Sequence, residues 1–338
     1  MKNQKNPTDW LQTDLAPSAQ GISILNFSAD TRHALVTTAI GGTYFEDFCS
    51  FSLPYWKLYA EKHGLAIVVI HDLVAFENRD SGLNGAWLKL LAPAVVAKAF
   101  PLIQRIAIVD TDVIINPGAP DIFADSPSGE FGVVSLVKNL PFDLLVAKKR
   151  LAFLRRSFYS DEYPLDSSLF ATPQQEYEME GLPVHDNLFC SGLIVLPQTK
   201  APFFSSWFEE ASQRDARTAV AWEQNFLNHK VISHGCHWLP YQYQAIWNLE
   251  MANYHPSAYL TNDLSRDAAA QGSVADSLNN NFFLHFAGSW HESRAWMNPP
   301  EDILRRLVNL EGVEFSEYLR TTPTGHHVGK LLPGASES

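Results

Sequence analysis

The sequence predicts an α/β fold: a mostly parallel central sheet flanked by helices, in a single domain. Three observations carry this expectation. Short apolar, β-branched runs alternate with stretches of helical spacing in the order β-α-β-α-β over residues 34–115, and that order builds parallel strands joined by right-handed crossovers. The runs are continuously apolar rather than alternating, which suits strands covered on both faces. Several of them end on glycine or on a carboxylate, at the strand ends where open α/β sheets place their ligands.

Residues 1–30 are polar, carry Pro7 and Pro17, and read as an N-terminal arm. Residues 34–40 (ALVTTAI) form the first strand, closed by Gly41-Gly42-Thr43. No GxGxxG follows, so a dinucleotide turn is a weak reading. The glycines suit either a close nucleotide approach or a tight strand-to-helix turn. Residues 46–63 have helical spacing and stop at His63-Gly64, with Pro54 as a break or kink. Residues 65–70 (LAIVVI) are the second strand, with His71-Asp72 at its end, and residues 86–100 the next helix.

The chain is organised around residues 105–116, RIAIVDTDVIIN. Two aspartates, Asp110 and Asp112, stand between two apolar runs. Charged residues are seldom buried unless they are paired or bind metal, so the chain is expected to leave the core there and present both carboxylates to a cation. Residues 132–137 and 191–197 read as further strands, and 202–213 and 221–228 as helices. Between them, 139–187 is irregular and aromatic with helical patterning near 143–157, a lid or binding insertion. A last strand spans 282–286, and residues 323–338 read as a flexible tail.

Composition narrows the function. The 338 residues are 46% hydrophobic, enough for a sizeable core, and most of the 9 Trp, 21 Phe and 11 Tyr read as core-filling; such rings also stack on sugars and bases. Lys plus Arg is 25 and Asp plus Glu is 37, so 25 − 37 = −12. An acidic chain with no basic run is not a nucleic-acid binder, and any nucleotide it bound would need a local cation. Cys49, Cys190 and Cys236 show no CxxC spacing, which argues against a disulfide framework or a zinc site. The polar start lacks a signal-peptide core, and no apolar stretch approaches spanning length. These features lead to the expectation of a cytoplasmic protein, with peripheral membrane attachment compatible and the oligomeric state open.

Oxygen-rich donor sets suit Mg²⁺ and Mn²⁺, which are commonly shared between protein carboxylates and substrate phosphates. Asp110-Thr111-Asp112 offers such a set; a solvated turn is the plain alternative. His285, in FFLHFAGSW, reads either as a core histidine or as a third ligand. Taken with these residues, AWLKLLAPAVVAKAFPLIQRIAIVDTDVIIN resembles the core of GT-A-fold nucleotide-sugar glycosyltransferases, especially retaining families 8 and 34. There a W-x-K helix precedes a strand ending in D-x-D, and a late H-x-x-G completes the metal ligands. HFAG, His285 to Gly288, matches the late motif, while Phe189-Cys190-Ser191-Gly192 and Trp222-Glu223-Gln224 stand where an N-x-G strand and a D-Q pair are expected. The order holds over residues 34–297 and implies a GT-A domain over 31–322.

The resemblance implies roles. Asp110, Asp112 and His285 would hold Mn²⁺ (or Mg²⁺) bridging the diphosphate of a nucleotide-sugar donor, a UDP-sugar in the first instance. Lys89 would reach donor phosphate or sugar hydroxyls. Glu223 and Gln224 would be the catalytic pair beside the anomeric carbon. Donor contacts are further expected from Ala39 and Gly41 after the first strand, Asp72 after the second and Thr111 between the aspartates. Ser191, Gly192 and Gly288 belong to the same set, with Arg294 or His291 standing in for a family lysine. The implied reaction is metal-dependent hexosyl transfer with retention to an acceptor that is a glycan, a lipid-linked sugar, a protein or a small molecule. The sequence departs from the family at Cys190, in place of asparagine, and at Glu223, in place of aspartate. Asp186 is a second carboxylate, with a surface acid as its plainer reading. Rival readings are a sugar nucleotidyltransferase, which would usually carry a basic glycine-rich loop that Gly41-Gly42-Thr43-Tyr44 lacks, and a carbohydrate-binding homologue without catalysis.

Overall fold

In the computed structural model, the described residues are 21–76, 85–159, 167–214, 223–288 and 290–308. The strands in chain order are β1 (Ile22–Leu25), β2 (His33–Thr38), β3 (Ala66–Ile70), β4 (Arg105–Val109), β5 (Val113–Ile115), β6 (Phe131–Val134), β7 (Leu193–Pro197), β8 (Cys236–Leu239), β9 (Ala245–Ile246) and β10 (Phe283–His285). Seven of them form one sheet in the order β1-β3-β2-β4-β7-β6-β8, and the other three a small sheet, β5-β10-β9. The α/β class expected from the sequence is the observed one.

The main sheet is mixed. β2 runs parallel to β3 and β4, and β6 to β8, while β1–β3, β4–β7 and β7–β6 are antiparallel. The first three parallel strands are the β-α-β-α-β series read from the sequence. The reversals come from strands whose direction no local pattern encodes. Both faces are covered: Leu35, Ile67, Val69, Ala107 and Val109 join one core, and Ala34, Val36, Val68, Ile106 and Ile108 the other. Two-sided burial is why these runs are apolar without alternation.

Several expected boundaries move. Residues 22–25 are not part of an arm but an edge strand antiparallel to β3; residues 1–20 and the 323–338 tail lie outside the described residues. Pro54 marks a break in the helical stretch. It occupies the first turn of Leu53–His63, directly after a π-helical turn at Phe48–Ser52, so the helical stretch changes its hydrogen-bond register next to the proline. Gly64 closes that helix in the left-handed conformation at φ 65°. The stretch 86–100 divides into a 3₁₀ segment, Gly85–Leu90, and the α-helix Ala92–Ala99, because Pro93 restarts the helix at its first turn. Within 139–187 the structure contains a 15-residue helix, Leu144–Phe158, and a capped helix, Pro173–Met179. The helix expected over 221–228 is Gln224–Ser233. Among the described residues, no helix is long and apolar enough to cross a membrane.

Candidate active site

The two apolar runs flanking Asp110 and Asp112 belong to different sheets. β4 ends the run of main-sheet strands at Val109, and β5 begins the small sheet at Val113. The aspartates occupy the crossing between sheets, which is why charge follows a buried strand there. Buried hydrogen bonds fix this turn: the Ser52 hydroxyl donates to the Thr111 carbonyl (2.6 Å), the Trp56 indole to the Val113 carbonyl (2.8 Å), and the Trp296 indole to the Ser52 hydroxyl (2.7 Å).

Strand register brings the remaining groups to the same place. β10 pairs antiparallel with β5, with His285 opposite Val113, next to Asp112. β7 pairs antiparallel with β4, with Leu193 opposite Val109, so Ser191 and Gly192 lie beside Asp110, whose amide donates to the Gly192 carbonyl (3.0 Å). His285 Nε2 is 3.3 Å from Asp112 and 4.0 Å from Asp110. One ligand atom from each of Asp110, Asp112 and His285 falls within 4.8 Å of the others. Ligands about 2.1 Å from an octahedral centre are roughly 3 to 4.2 Å apart. The two histidine–aspartate separations fall in that range, and two carboxylates with one imidazole are a donor set that suits a Mn²⁺ or Mg²⁺ ion.

The carboxylates here draw positive charge from His285 and from Lys89, and a divalent ion bound by His285 would displace its proton. Burial disfavours the charged form of His285, but the Cys190 sulfur and the Asp112 carboxylate outweigh it and raise the imidazole pKa well above its usual value. Burial also pushes Asp112 up, yet His285 holds it below the ordinary carboxylate range. Behind the turn, the buried Lys89 ammonium bridges Asp110 (2.8 Å) and Glu223 (2.9 Å). Burial alone would depress its pKa; Asp110 and then Glu223 reverse that and raise it. Glu223 also accepts from the Ser191 hydroxyl (2.7 Å).

A cleft of about 660 Å³ opens in front of the aspartates, lined among others by Thr38, Ile40, Tyr44, Lys89, Asp110, Thr111, Asp112, Phe286, Gly288, Trp290, Arg294 and Trp296. That volume lies within the usual range for small-molecule sites. Of the residues expected from sequence, Asp110, Asp112 and His285 come together, and Lys89, Thr111, Gly288 and Arg294 line the cleft. Glu223 and Gln224 do not line it: Glu223 is 4% exposed and faces Lys89, and Gln224 opens a helix from which its carbonyl accepts Asn228 Nδ2. Ser191 and Gly192 lie in the layer behind the aspartates. Asp72 is exposed, with its carboxylate capping the Val74 amide (2.9 Å), and Gly41 is exposed at φ 83°. Ala39 is buried, whereas Thr38 and Ile40 on either side line the cleft. Period-two alternation along a strand could have chosen these two over Ala39. Asp186 is a surface acid paired with Lys138 (2.5 Å), and His291 packs its ring on Tyr159, 4.4 Å between centroids.

Sequence reasoning missed Gln244. Its amide nitrogen donates to the Cys190 carbonyl (3.1 Å) and its oxygen accepts from the Leu193 amide (3.0 Å). That oxygen then lies 3.3 Å from His285 Nδ1. The contact keeps a proton on Nδ1 and turns the Nε2 lone pair of neutral His285 toward the aspartates, as ligating histidines require. Gln244 precedes β9, which pairs in parallel with β10, and no local motif marks it. Gly192 completes the layer. A Cβ there would run into the His285 imidazole, 2.8 Å from Nδ1 and closer still to Cε1. Gly192→Ala is therefore expected to cost about 1–3 kcal/mol through overpacking and to weaken divalent-metal binding, read by thermal melting and calorimetric Mn²⁺ titration. An alanine variant with unchanged melting and Mn²⁺ affinity would show that the close approach does not matter.

No protein-family model matches the sequence, and no curated protein matches it. Among solved structures, the chain is similar to a glycosyltransferase involved in the glycosylation of the major capsid of PBCV-1, with 10% identity and a TM-score of 0.45 over 78% of this chain and 97% of that one. It is also similar to the WbbM bifunctional glycosyltransferase in its apo form, with 15% identity and a TM-score of 0.44 over 84% of this chain and 51% of the other, about half its length. Both TM-scores are below 0.5, so neither likeness assigns an activity to this chain.

Proposed function

We propose that this protein is a metal-dependent glycosyltransferase that moves a hexose from a UDP-sugar to an acceptor with retention of configuration. The observation that carries the reading is the Asp110–Asp112–His285 group beside a cleft of substrate size that also holds Arg294 and two tryptophans. A Mn²⁺ or Mg²⁺ ion bound by the three side chains would offset the charge that builds on a departing nucleoside diphosphate. In this reading Asp110 and Asp112 supply the oxygens and His285, held by Gln244, supplies Nε2. Arg294 meets donor phosphate from the cleft wall, and Trp290 and Trp296 give apolar faces for a base or a sugar ring. Lys89 is kept charged and in place by Glu223, so Glu223 is a positioning residue here rather than a group at the anomeric carbon.

The test is release of free nucleoside diphosphate from a panel of nucleotide sugars, with Mn²⁺ and with chelator. The expected result is Mn²⁺-dependent release that is greatest with one or a few UDP-sugars. Absence of release from every donor, or release indifferent to chelator, would overturn the proposal.

A further inference from the structure

The helix Leu144–Phe158, LLVAKKRLAFLRRSF, carries five of the chain's 25 basic residues and no acid, in a protein of net charge −12. Ala147, Leu151, Leu154 and Arg155 form its inner face. Its outer face alternates apolar and cationic side chains. Leu145 is 53% exposed, Val146 43% and Phe153 66%, and Lys149 and Arg150 stand exposed among them. An exposed Leu or Phe alone needs no account; three along one helical face, interleaved with cations, do. The Arg150 guanidinium donates to Asn253 (3.2 Å), a neutral partner that leaves its charge in place. Lys148 is half-buried and lies within the field of Glu176, and Asp143 is used as the helix N-cap.

We propose that the outer face of this helix docks the protein on an anionic lipid surface. The charge complement is local: among the described residues the helix carries five cations and no acid, and at a Debye length of about 10 Å in 0.1 M salt distant acids are screened from its outer face. The outer face offers apolar side chains for shallow insertion and cations for headgroups, as interfacial helices do. The inner face ties the helix to the cleft. The Arg155 guanidinium donates to Glu292 (2.7 Å) and stacks on the Trp290 ring (4.3 Å), a cleft-lining residue. A surface bound at the outer face is thus separated from the cleft wall by the thickness of one helix, roughly 10 Å.

The experiment is co-sedimentation of the full chain with vesicles of phosphatidylcholine alone or with one third phosphatidylserine, without donor or metal, so that it is independent of the proposed activity. The expected result is binding to the anionic vesicles only, weakened by raised salt, reduced about tenfold or more in the double variant Lys149→Glu/Arg150→Glu and lowered several-fold in Phe153→Ser. All three substitutions are exposed and should leave the melting temperature unchanged. Failure to bind anionic vesicles overturns the proposal, as does binding that these variants leave intact. Retention on a soluble polyanion with vesicles unbound overturns it too, in favour of an acidic macromolecular partner.

Discussion

Lys89→Met is expected to destabilise the protein by about 3 kcal/mol or more and to lower metal-dependent transfer at least about 100-fold. Lys89 and Glu223 each leave only 5% of the side chain exposed, and the ammonium contacts Asp110 and Glu223 within 3 Å. Removing one member of a buried ion pair strands its partner, at a cost of roughly 3–5 kcal/mol. Methionine keeps most of the volume, so the loss is electrostatic rather than a cavity. The activity loss follows because two carboxylates left without their cation must protonate or shift, and preorganised charge of this kind is worth about 10²–10³ in rate. The double variant Lys89→Met/Glu223→Gln should recover part of the stability, since the neutral amide removes the stranded charge. Urea melts of both singles and the double measure the coupling. Additive losses would show that the pair does not act as a unit.

Asp112→Ala is expected to behave in the opposite way, with a large loss of ligand binding and little change in stability. Asp112 leaves 25% of its side chain exposed, and its buried partner His285 retains Gln244 on Nδ1 when uncharged. The stability change should be about 1 kcal/mol or less. Mn²⁺ affinity should fall by more than about 100-fold, because even groups that merely support a metal ligand contribute 10- to 100-fold. Calorimetry and thermal melting on the same preparation separate the two effects. A variant that melts early and still binds Mn²⁺ would make Asp112 a structural residue.

The aspartates were legible because a charge that interrupts two apolar runs has few physical explanations, and His285 because HFAG resembles a late metal-ligand motif, the ring alone reading equally as a core histidine. The parallel half of the sheet was legible from alternation alone. What stayed hidden depends on contacts distant in sequence. Nothing in RIAIVDTDVIIN says that its two runs join different sheets, since each looks locally like any buried strand. Lys89 read as a group reaching donor phosphate or sugar hydroxyls; it lines the cleft, and its ammonium also bridges two carboxylates that no local pattern pairs with it. Glu223 read as a group beside the reacting carbon, and the structure places it behind Lys89. Gln244 orients His285 across 41 residues of sequence from a stretch with no motif, and only the pairing of β9 with β10 brings it there.

Calorimetric titration of UDP, with and without saturating Mn²⁺, tests the central claim most directly, with Asp112→Ala as the control. If Asp110, Asp112 and His285 hold a cation that receives the diphosphate, Mn²⁺ tightens UDP binding at least about tenfold and UDP tightens Mn²⁺ binding by the same factor, as linkage requires. That coupling is then absent in Asp112→Ala. UDP binding of equal strength with Mn²⁺ and with chelator, or coupling that survives in Asp112→Ala, would contradict the account.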